Sequence, residues 1–259
     1  MCPRCELIFV HDIYPEFLRG LEGLDDPTKF LTRAGPSRSH RKRFASLLQE
    51  FDRYRQRNRL LEVGCAEAAF LTSATQMGWR CTGVEILPGI ARFAREQRGL
   101  DVYTGELFDA RFADGEFDVV YMNEVLEHIV YPVELLQEVR RVLRPGGLAL
   151  VRTGNARSWS ARFRGSKWFY YERFGTLGHI RFYNPRTVPI LAAASGFADG
   201  SSRTSGFAFL ESAELRGRWF KPFVKFGQSF LSPLAGPCAA GHRLTMRFIA
   251  PSHTSAGGE

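Results

Sequence analysis

Cysteine, lysine and long apolar runs are scarce in this 259-residue chain. Its five cysteines, Cys2, Cys5, Cys65, Cys81 and Cys238, are scattered. That is too few and too uneven for the disulfide framework of a small secreted domain. No stretch reaches the roughly 18 apolar residues that span a bilayer, and the N-terminus carries no apolar signal core. A cytoplasmic protein with reduced thiols is the expectation. The absence of internal repeats excludes a solenoid or a propeller. Acidic residues are outnumbered, 27 against 35 basic ones, giving a formal charge of +8. Thirty of the 35 are arginine, and an excess so dominated by one codon-rich residue is weak ground for a nucleic-acid surface.

What is present is a rhythm. A length of 259 residues suits one large α/β domain. Residues 1–36 are broken by Pro3, Pro15, Pro27, Gly35 and Pro36 into an irregular segment. From Ser37 to about Arg57 a helix is expected, with Phe44, Leu47, Leu48, Phe51 and Tyr54 at helical spacing. Short apolar strands then alternate with amphipathic helices: strands at 60–63, 81–85, 102–103, 117–122 and 148–151, helices over 70–77, 88–97 and about 135–143. The last of these helices is expected to stop at Arg144-Pro145-Gly146-Gly147. Phe117 to Met122 is continuously apolar, as a strand covered on both faces must be. Such alternation implies right-handed βαβ units, hence a doubly wound, mostly parallel sheet with helices on both faces. Residues 37–250 form this domain. Within it, residues 152–184 are rich in arginine and aromatic residues and read as a cap insertion. Beyond it a helix follows Asn184-Pro185 up to Gly196. A strand near 206–209, a helical stretch over 211–230 and a strand over 243–249 come next, and 251–259 reads as a disordered tail.

In doubly wound sheets ligands bind at the carboxyl ends of strands where strand order reverses. The first strand runs into Glu62-Val63-Gly64-Cys65-Ala66-Glu67-Ala68-Ala69-Phe70. A turn of small residues lets a ligand lie against the backbone, and the helix that follows offers N–H groups. Glu85 ends the second strand, where a carboxylate can accept both hydroxyls of an adenosine ribose. That pairing alone suits a nicotinamide oxidoreductase equally well, but the loop keeps only the first glycine of GxGxxG.

Four blocks decide between these. Leu60–Phe70 (LLEVGCAEAAF), Gly83–Glu96 (GVEILPGIARFARE), Phe117–His128 (FDVVYMNEVLEH) and Arg141–Val151 (RVLRPGGLALV) together resemble class I S-adenosylmethionine-dependent methyltransferases. The likeness is to the small-molecule group and covers roughly residues 37–250. It implies a Rossmann-like methyltransferase fold with S-adenosyl-L-methionine as cofactor. By the resemblance Glu62, Gly64, Cys65 and Ala66 hold the methionine part, Glu85 and Ile86 meet the ribose and Glu106 with Leu107 lies by the adenine. Asn123 faces the methyl end and the substrate. The family's second and third loop glycines are Ala66 and Ala68 here. An alanine at a left-handed position is strained, which keeps a non-catalytic methyltransferase-like scaffold as the alternative.

Methyl transfer is an in-line displacement in which placement supplies most of the catalysis. Two histidines are candidate catalytic residues, since an unperturbed imidazole accepts a proton near neutrality. His128 follows the fourth strand, where a capping role is the competing explanation. His179, in Gly178-His179-Ile180-Arg181-Phe182-Tyr183, resembles the HxxxF/Y stretch at the family's active-site mouth. The cap's Arg157, Arg162, Arg164, Lys167, Arg173 and Arg181, interleaved with aromatic residues, suit an anionic or sugar-linked small-molecule acceptor. Nucleic acid is not expected, because no Asn/Asp-Pro-Pro-aromatic block follows the fourth strand. Arg216–Phe230 is basic and aromatic enough for contact with a membrane surface, although Pro222 and Gly227 should interrupt a helix there and packing on the main domain is preferred. Finally, Cys2-Pro3-Arg4-Cys5 resembles half of the zinc ribbon that precedes some sugar C-methyltransferases. Two thiols fall short of the four ligands of a structural zinc site, so no metal centre is expected beyond that remnant.

Overall fold

The computed structural model describes residues 1–9, 38–172, 178–207 and 221–252. Strands β2 (Arg59–Val63), β3 (Arg80–Glu85), β4 (Asp101–Thr104), β5 (Phe117–Asn123), β6 (Leu143–Gly154), β8 (Asp199–Ser205) and β9 (Arg243–Ile249) form one sheet in the order β4-β3-β2-β5-β6-β9-β8. β4, β3, β2, β5 and β6 are parallel, and β9 runs antiparallel between β6 and β8. Strand order reverses between β2 and β5, so the carboxyl ends of β2, β3 and β5 open onto one crevice. The doubly wound expectation holds.

Side-chain alternation sorts the core into two layers. Leu61, Val63, Val120, Met122, Ala149 and Val151 face helices α4 (Pro132–Val142) and α7 (Thr187–Ala194) through Leu136, Val139, Val188 and Leu191. Leu60, Val119, Tyr121, Leu148 and Leu150 face the other way, onto α1 (Arg38–Phe51), α2 (Ala69–Gln76) and α3 (Pro88–Arg98). On α1 the buried residues are Phe44, Leu47, Leu48 and Phe51, the i, i+3, i+4, i+7 stripe that the sequence implied.

Several boundaries differ from expectation. The first helix ends at Phe51 and tightens into a 3₁₀ turn over Asp52–Tyr54. The Arg-Pro-Gly-Gly block is not a loop. It lies inside β6, which starts at Leu143 directly after α4 and is thrown out of register between Phe117 and Val119 of its neighbour. Gly147 carries this close approach, since a Cβ there would stand 3.0 Å from the Asp118 carbonyl oxygen. A strand forms at Asp199–Ser205 (β8); of the strand expected near 206–209, Gly206 and Phe207 lie in no strand and residues 208–209 are outside the described residues. Gly227 does not interrupt the C-terminal helix α8, which runs Lys221–Ala235 with Phe223 and Phe226 more than 70% exposed rather than packed on the domain. A two-stranded antiparallel ribbon, β1 (Ile8–Phe9) with β7 (Arg181–Phe182), ties the N-terminus to the cap and had no signal in the sequence. The expectations for residues 10–37, 208–220 and the tail 253–259 lie outside the described residues.

The cap is built from α5 (Trp159–Arg164), α6 (Phe169–Glu172) and a small cluster of Ala161, Trp168, Tyr170 and Phe182. No helix among the described residues is long and apolar enough to cross a membrane.

One buried ion pair locks the amino edge of the central strands. Asp118, fully buried, accepts from the backbone N–H groups of Arg57 (2.9 Å) and Arg59 (3.1 Å) and from Arg144 Nε (2.7 Å). Burial alone would raise its pKa, but the N–H of Arg57, the Arg144 guanidinium and the N–H of Arg59 outweigh it and hold the carboxyl below its usual range. A lowered folded-state pKa contributes stability that is present above the unfolded carboxylate range of about 4 and lost as pH falls below it. Asp118→Ala should therefore cost about 3 kcal/mol or more in urea unfolding at pH 7, because it strands a buried guanidinium. The difference from wild type should shrink as the pH is taken below about 4. An equal difference at pH 3 and pH 7 would contradict the assignment.

Candidate active site

Two carboxylates on adjacent strands, Glu62 and Glu85, stand at the crevice. Glu62 on β2 and Gly83 on β3 are register partners, so Glu62 and Glu85 project from the same face, the one covered by α1 and α2. Glu85, 6% exposed, accepts from the Ala66 N–H (2.9 Å) through one oxygen and from the Leu87 N–H (3.0 Å) through the other. Each oxygen keeps a second lone pair for a hydroxyl donor. Burial raises the Glu85 pKa against these N–H groups. Glu62 is buried too, and its Oε2 has no hydrogen-bond partner. Burial, and then the charge of Glu85, pushes its pKa well up.

The turn from β2 to α2 is shaped by left-handed backbone. Gly64 has φ +69°, and a Cβ there would stand 2.5 Å from Cγ2 of Val125, so only glycine fits. Ala66 and Ala68 also sit in the left-handed region, with φ of 48° and 55°. The loop thus holds the shape that glycine would permit even though alanine occupies two of its turns. Cys65 is buried, which pushes its thiol pKa far up, and a Cβ at Gly83 would stand 2.7 Å from its Sγ.

The remaining expected residues distribute as follows. Ile86 is 49% exposed beside Glu85. Glu106 is exposed at the mouth, whereas the Leu107 side chain is in the core, so that residue can offer a ligand only its backbone. Asn123 ends β5, half-buried, and its Oδ1 accepts from the Tyr121 hydroxyl at 3.2 Å.

Past β5 the chain turns at Glu124 (φ 58°) into a 3₁₀ turn over Leu126–His128. There both candidate histidines come together. The rings of His128 and His179 stand edge to face with centroids 4.8 Å apart, and Tyr170 lies 5.2 Å beyond His179. His128 Nδ1 is 3.2 Å from the Gly178 carbonyl and His179 Nδ1 is 3.2 Å from the Tyr170 carbonyl. A carbonyl only accepts, so each Nδ1 donates a proton to it. His128 is half-buried, whereas His179 is 2% exposed, behind it.

Sequence reasoning missed three members of this cluster. Glu127 is fully buried with neither carboxylate oxygen hydrogen-bonded. Burial, and then the neighbouring charge of Glu124, pushes its pKa well up. Glu124 accepts from the Tyr170 hydroxyl at 2.7 Å. Glu127, His128 and His179 offer ligand atoms all within 4.8 Å of one another, a spacing compatible with a cation that no motif had suggested. The Leu126-Glu127-His128 block held that signal, since a glutamate placed in a buried turn beside histidine is seldom only structural.

Three of the cap's cations are engaged. Arg157 pairs with Glu6 at 2.5 Å, Arg181 donates to the Ile129 and Val130 carbonyls, and Arg164 donates to the Lys167 carbonyl. Arg173 lies outside the described residues. The Cys2–Cys5 turn closes through Glu6 N–H to the Cys2 carbonyl (2.9 Å) and docks by Asn184 Nδ2 to the Cys5 carbonyl (3.2 Å). A zinc ribbon is not established by this turn.

Residues 37–201 match the family model described as a methyltransferase domain. This chain belongs to the class I S-adenosylmethionine-dependent methyltransferases. It is 33% identical over 117 residues to a ubiquinone biosynthesis O-methyltransferase of Cereibacter sphaeroides, covering 42% of this chain and 47% of that one. The chain thus spans about half the length of the curated relatives it matches. A methyltransferase of Thermotoga maritima, titled a possible histamine N-methyltransferase, superposes with a TM-score of 0.56 at 19% identity, over 92% of this chain and 98% of that one. A Haemonchus contortus phosphoethanolamine N-methyltransferase 2 gives 0.58 at 17% identity, over 81% and 52%. These two similarities establish the fold alone. The family's cofactor is S-adenosyl-L-methionine, and the residues at the crevice suit it: an unpartnered buried carboxylate oxygen at Glu62 fits an ammonium, and Glu85 fits a pair of hydroxyls. The family match also sets the nicotinamide alternative aside.

The left-handed alanine yields a stability prediction. Ala68→Gly should release about 1–2 kcal/mol of backbone strain, less about 0.5–1 kcal/mol for the freer unfolded chain. The net expectation is a small rise in Tm, of about 2–4 °C for each kcal/mol gained. A lowered Tm would show that the surrounding packing, not the backbone, governs this turn.

Proposed function

We propose that this protein transfers the methyl group of S-adenosylmethionine to a small-molecule acceptor. The observation that carries the reading is the carboxylate pair Glu62 and Glu85, buried at the point where strand order reverses, with one oxygen of Glu62 unpartnered. Glu85 takes the ribose hydroxyls and Glu62 with the Gly64–Ala66 turn takes the methionine end. Ile86 and Glu106 flank the adenosine, with the backbone of Leu107 behind. Asn123 stands between donor and acceptor. When bound, the cofactor supplies a sulfonium methyl that a lone pair can displace in line.

His128 is the proton acceptor in this reading: its ring is oriented by the Gly178 carbonyl at 3.2 Å, and it is the more exposed of the two rings. His179 positions it by ring contact from behind. A hydroxyl is the acceptor that most needs such a base, and the O-methyltransferase name of the curated relatives favours the same choice.

Calorimetric titration tests the cofactor half. S-adenosylmethionine and S-adenosylhomocysteine should bind at micromolar Kd, and Glu85→Ala should weaken both by about tenfold or more, the worth of hydrogen bonds to a charged group. A folded wild-type protein that binds neither would sink the enzyme reading and leave the scaffold. For the base, His128→Gln should lower kcat by about 10²–10⁴-fold while the cofactor Kd stays put. A loss confined to cofactor binding would move His128 out of the chemistry.

A further inference from the structure

The faces of the last three strands carry a feature that the methyl-transfer reading does not use. Arg152 on β6, Thr245 on β9 and Arg203 on β8 are register partners, so they share one row and one face. Two residues to either side of Thr245 along β9, Arg243 and Arg247 lie on that same face. It is the face that α1 covers, and from α1 Lys42, Arg43 and Glu50 come down onto it. Between them lies an open groove of about 480 Å³, lined by Lys42, Arg43, Ser46, Leu47, Glu50, Arg152 and Arg203, with Lys42, Arg43 and Ser46 exposed.

The charge in this groove is unbalanced. Glu50 is taken up by Arg203 (2.9 Å) and by Arg247. The other carboxylate whose charge reaches Arg43 is Glu124, already hydrogen-bonded to Tyr170. Lys42, Arg43, Arg152, Arg203, Arg243 and Arg247 are six cations against these two carboxylates. Burial, and then the charges of Arg243 and Arg152, lower the pKa of Arg43. Like charges pressed together cost free energy unless something opposite is bound. The groove's volume is within the range of small-ligand sites.

Its position relates it to the chemistry. Arg152 and Asn123 are register partners on β6 and β5, about 5 Å apart across one strand spacing. The Glu124 N–H donates to the Arg152 carbonyl at 2.8 Å, fixing that register at the carboxyl edge. A group held by Arg152 is therefore one short reach from the place where the methyl end is read.

Resting on the methyltransferase reading above, we infer that the acceptor carries a phosphoryl or diphosphoryl group, which this groove between α1 and strands β6, β9 and β8 binds. Guanidinium forks match phosphate oxygens in pairs, and Lys42 adds a mobile point charge. Arg152 and Arg43 grip from the donor side, Arg203 and Lys42 from the outer side, and Ser46 offers a hydroxyl. The cations of this site come from α1 and the antiparallel end of the sheet, apart from the cap, where Arg157 and Arg181 are held by Glu6 and by backbone carbonyls.

Inorganic pyrophosphate is the probe, titrated calorimetrically into the whole chain at moderate ionic strength, with S-adenosylmethionine titrated in parallel. Pyrophosphate should bind at one site per chain. Arg152→Gln combined with Lys42→Gln should weaken it about tenfold or more, with S-adenosylmethionine affinity kept. Arg203→Gln, on an exposed strand edge, should do the same to a lesser degree and guards against a folding defect in the pair. No pyrophosphate binding in a protein that binds S-adenosylmethionine, or binding indifferent to all three substitutions, overturns the inference. So does succinate binding as tightly as pyrophosphate, which would make the site one for carboxylates. A single-stranded oligonucleotide binding more tightly than pyrophosphate, with a steep salt dependence, would likewise overturn it in favour of a nucleic-acid groove. Pyrophosphate binding without S-adenosylmethionine binding would uphold the anion site and sink the reading it serves.

Discussion

Glu85 ties the site together. Its carboxylate is shared between the Ala66 N–H of the loop after β2 and the Leu87 N–H of the loop after β3, so two turns that would otherwise move independently are fastened to one charged group. Hydrogen bonds to a carboxylate are the strong kind, and in a buried setting they are stronger still. Because Ala66 is held there in a left-handed conformation, the bond also fixes the path of the chain into α2. Gly64, pressed against Val125 of the β5 turn, links that same loop to the segment bearing Glu127 and His128. The loop after β2 and the turn bearing Glu127 and His128 are thus parts of one packed unit.

That unit concentrates acid where the protein can least easily solvate it. Glu62, Glu85 and Glu127 are all buried, and burial pushes each pKa upward. Burying carboxylates with unpartnered oxygens is destabilising. Asp118 and Arg144 at the opposite edge of the sheet show how the same fold treats a structural carboxylate, with every oxygen hydrogen-bonded and the pKa lowered. The contrast separates a carboxylate whose oxygens are all hydrogen-bonded from Glu62 and Glu127, which bury oxygens with no hydrogen-bond partner.

Much of this was legible in residue order. Phe117 to Met122 read as a strand buried on both faces and is one, and the Gly64 turn and Glu85 fell at strand ends where they stand. These are local signals, carried by hydrophobic period and by a glycine that nothing larger replaces. What was not legible depends on contacts far apart in sequence. Arg-Pro-Gly-Gly reads as a helix stop followed by a loop, yet pairing with β5 draws it into β6. The β1–β7 ribbon joins Ile8 to Phe182 with no pattern in either piece to announce it. His128 and His179 were singled out separately, but only the fold sets their rings in contact and puts Glu127 beside them. The site roles themselves stay proposals, while the family is established.

The cations show most clearly why sequence proximity misleads. In the cap, arginines cluster with aromatic residues over a short stretch, which invites a binding reading, yet glutamate and carbonyl partners hold Arg157, Arg164 and Arg181. Lys42, Arg43, Arg152, Arg203 and Arg243 are spread over most of the chain and form no motif. They converge because β9 runs antiparallel between β6 and β8, which aligns Arg152 with Arg203 across Thr245 while α1 lies over the row. The two kinds of charge then divide the crevice: carboxylates on β2, β3 and the β5 turn, cations on β6, β8, β9 and α1. A cationic methyl donor and an anionic acceptor would each be drawn to its own side, and Asn123 with Arg152 marks the seam where they meet. Such a division supplies orientation electrostatically before any close contact forms, which is the larger part of what an in-line transfer asks of its enzyme.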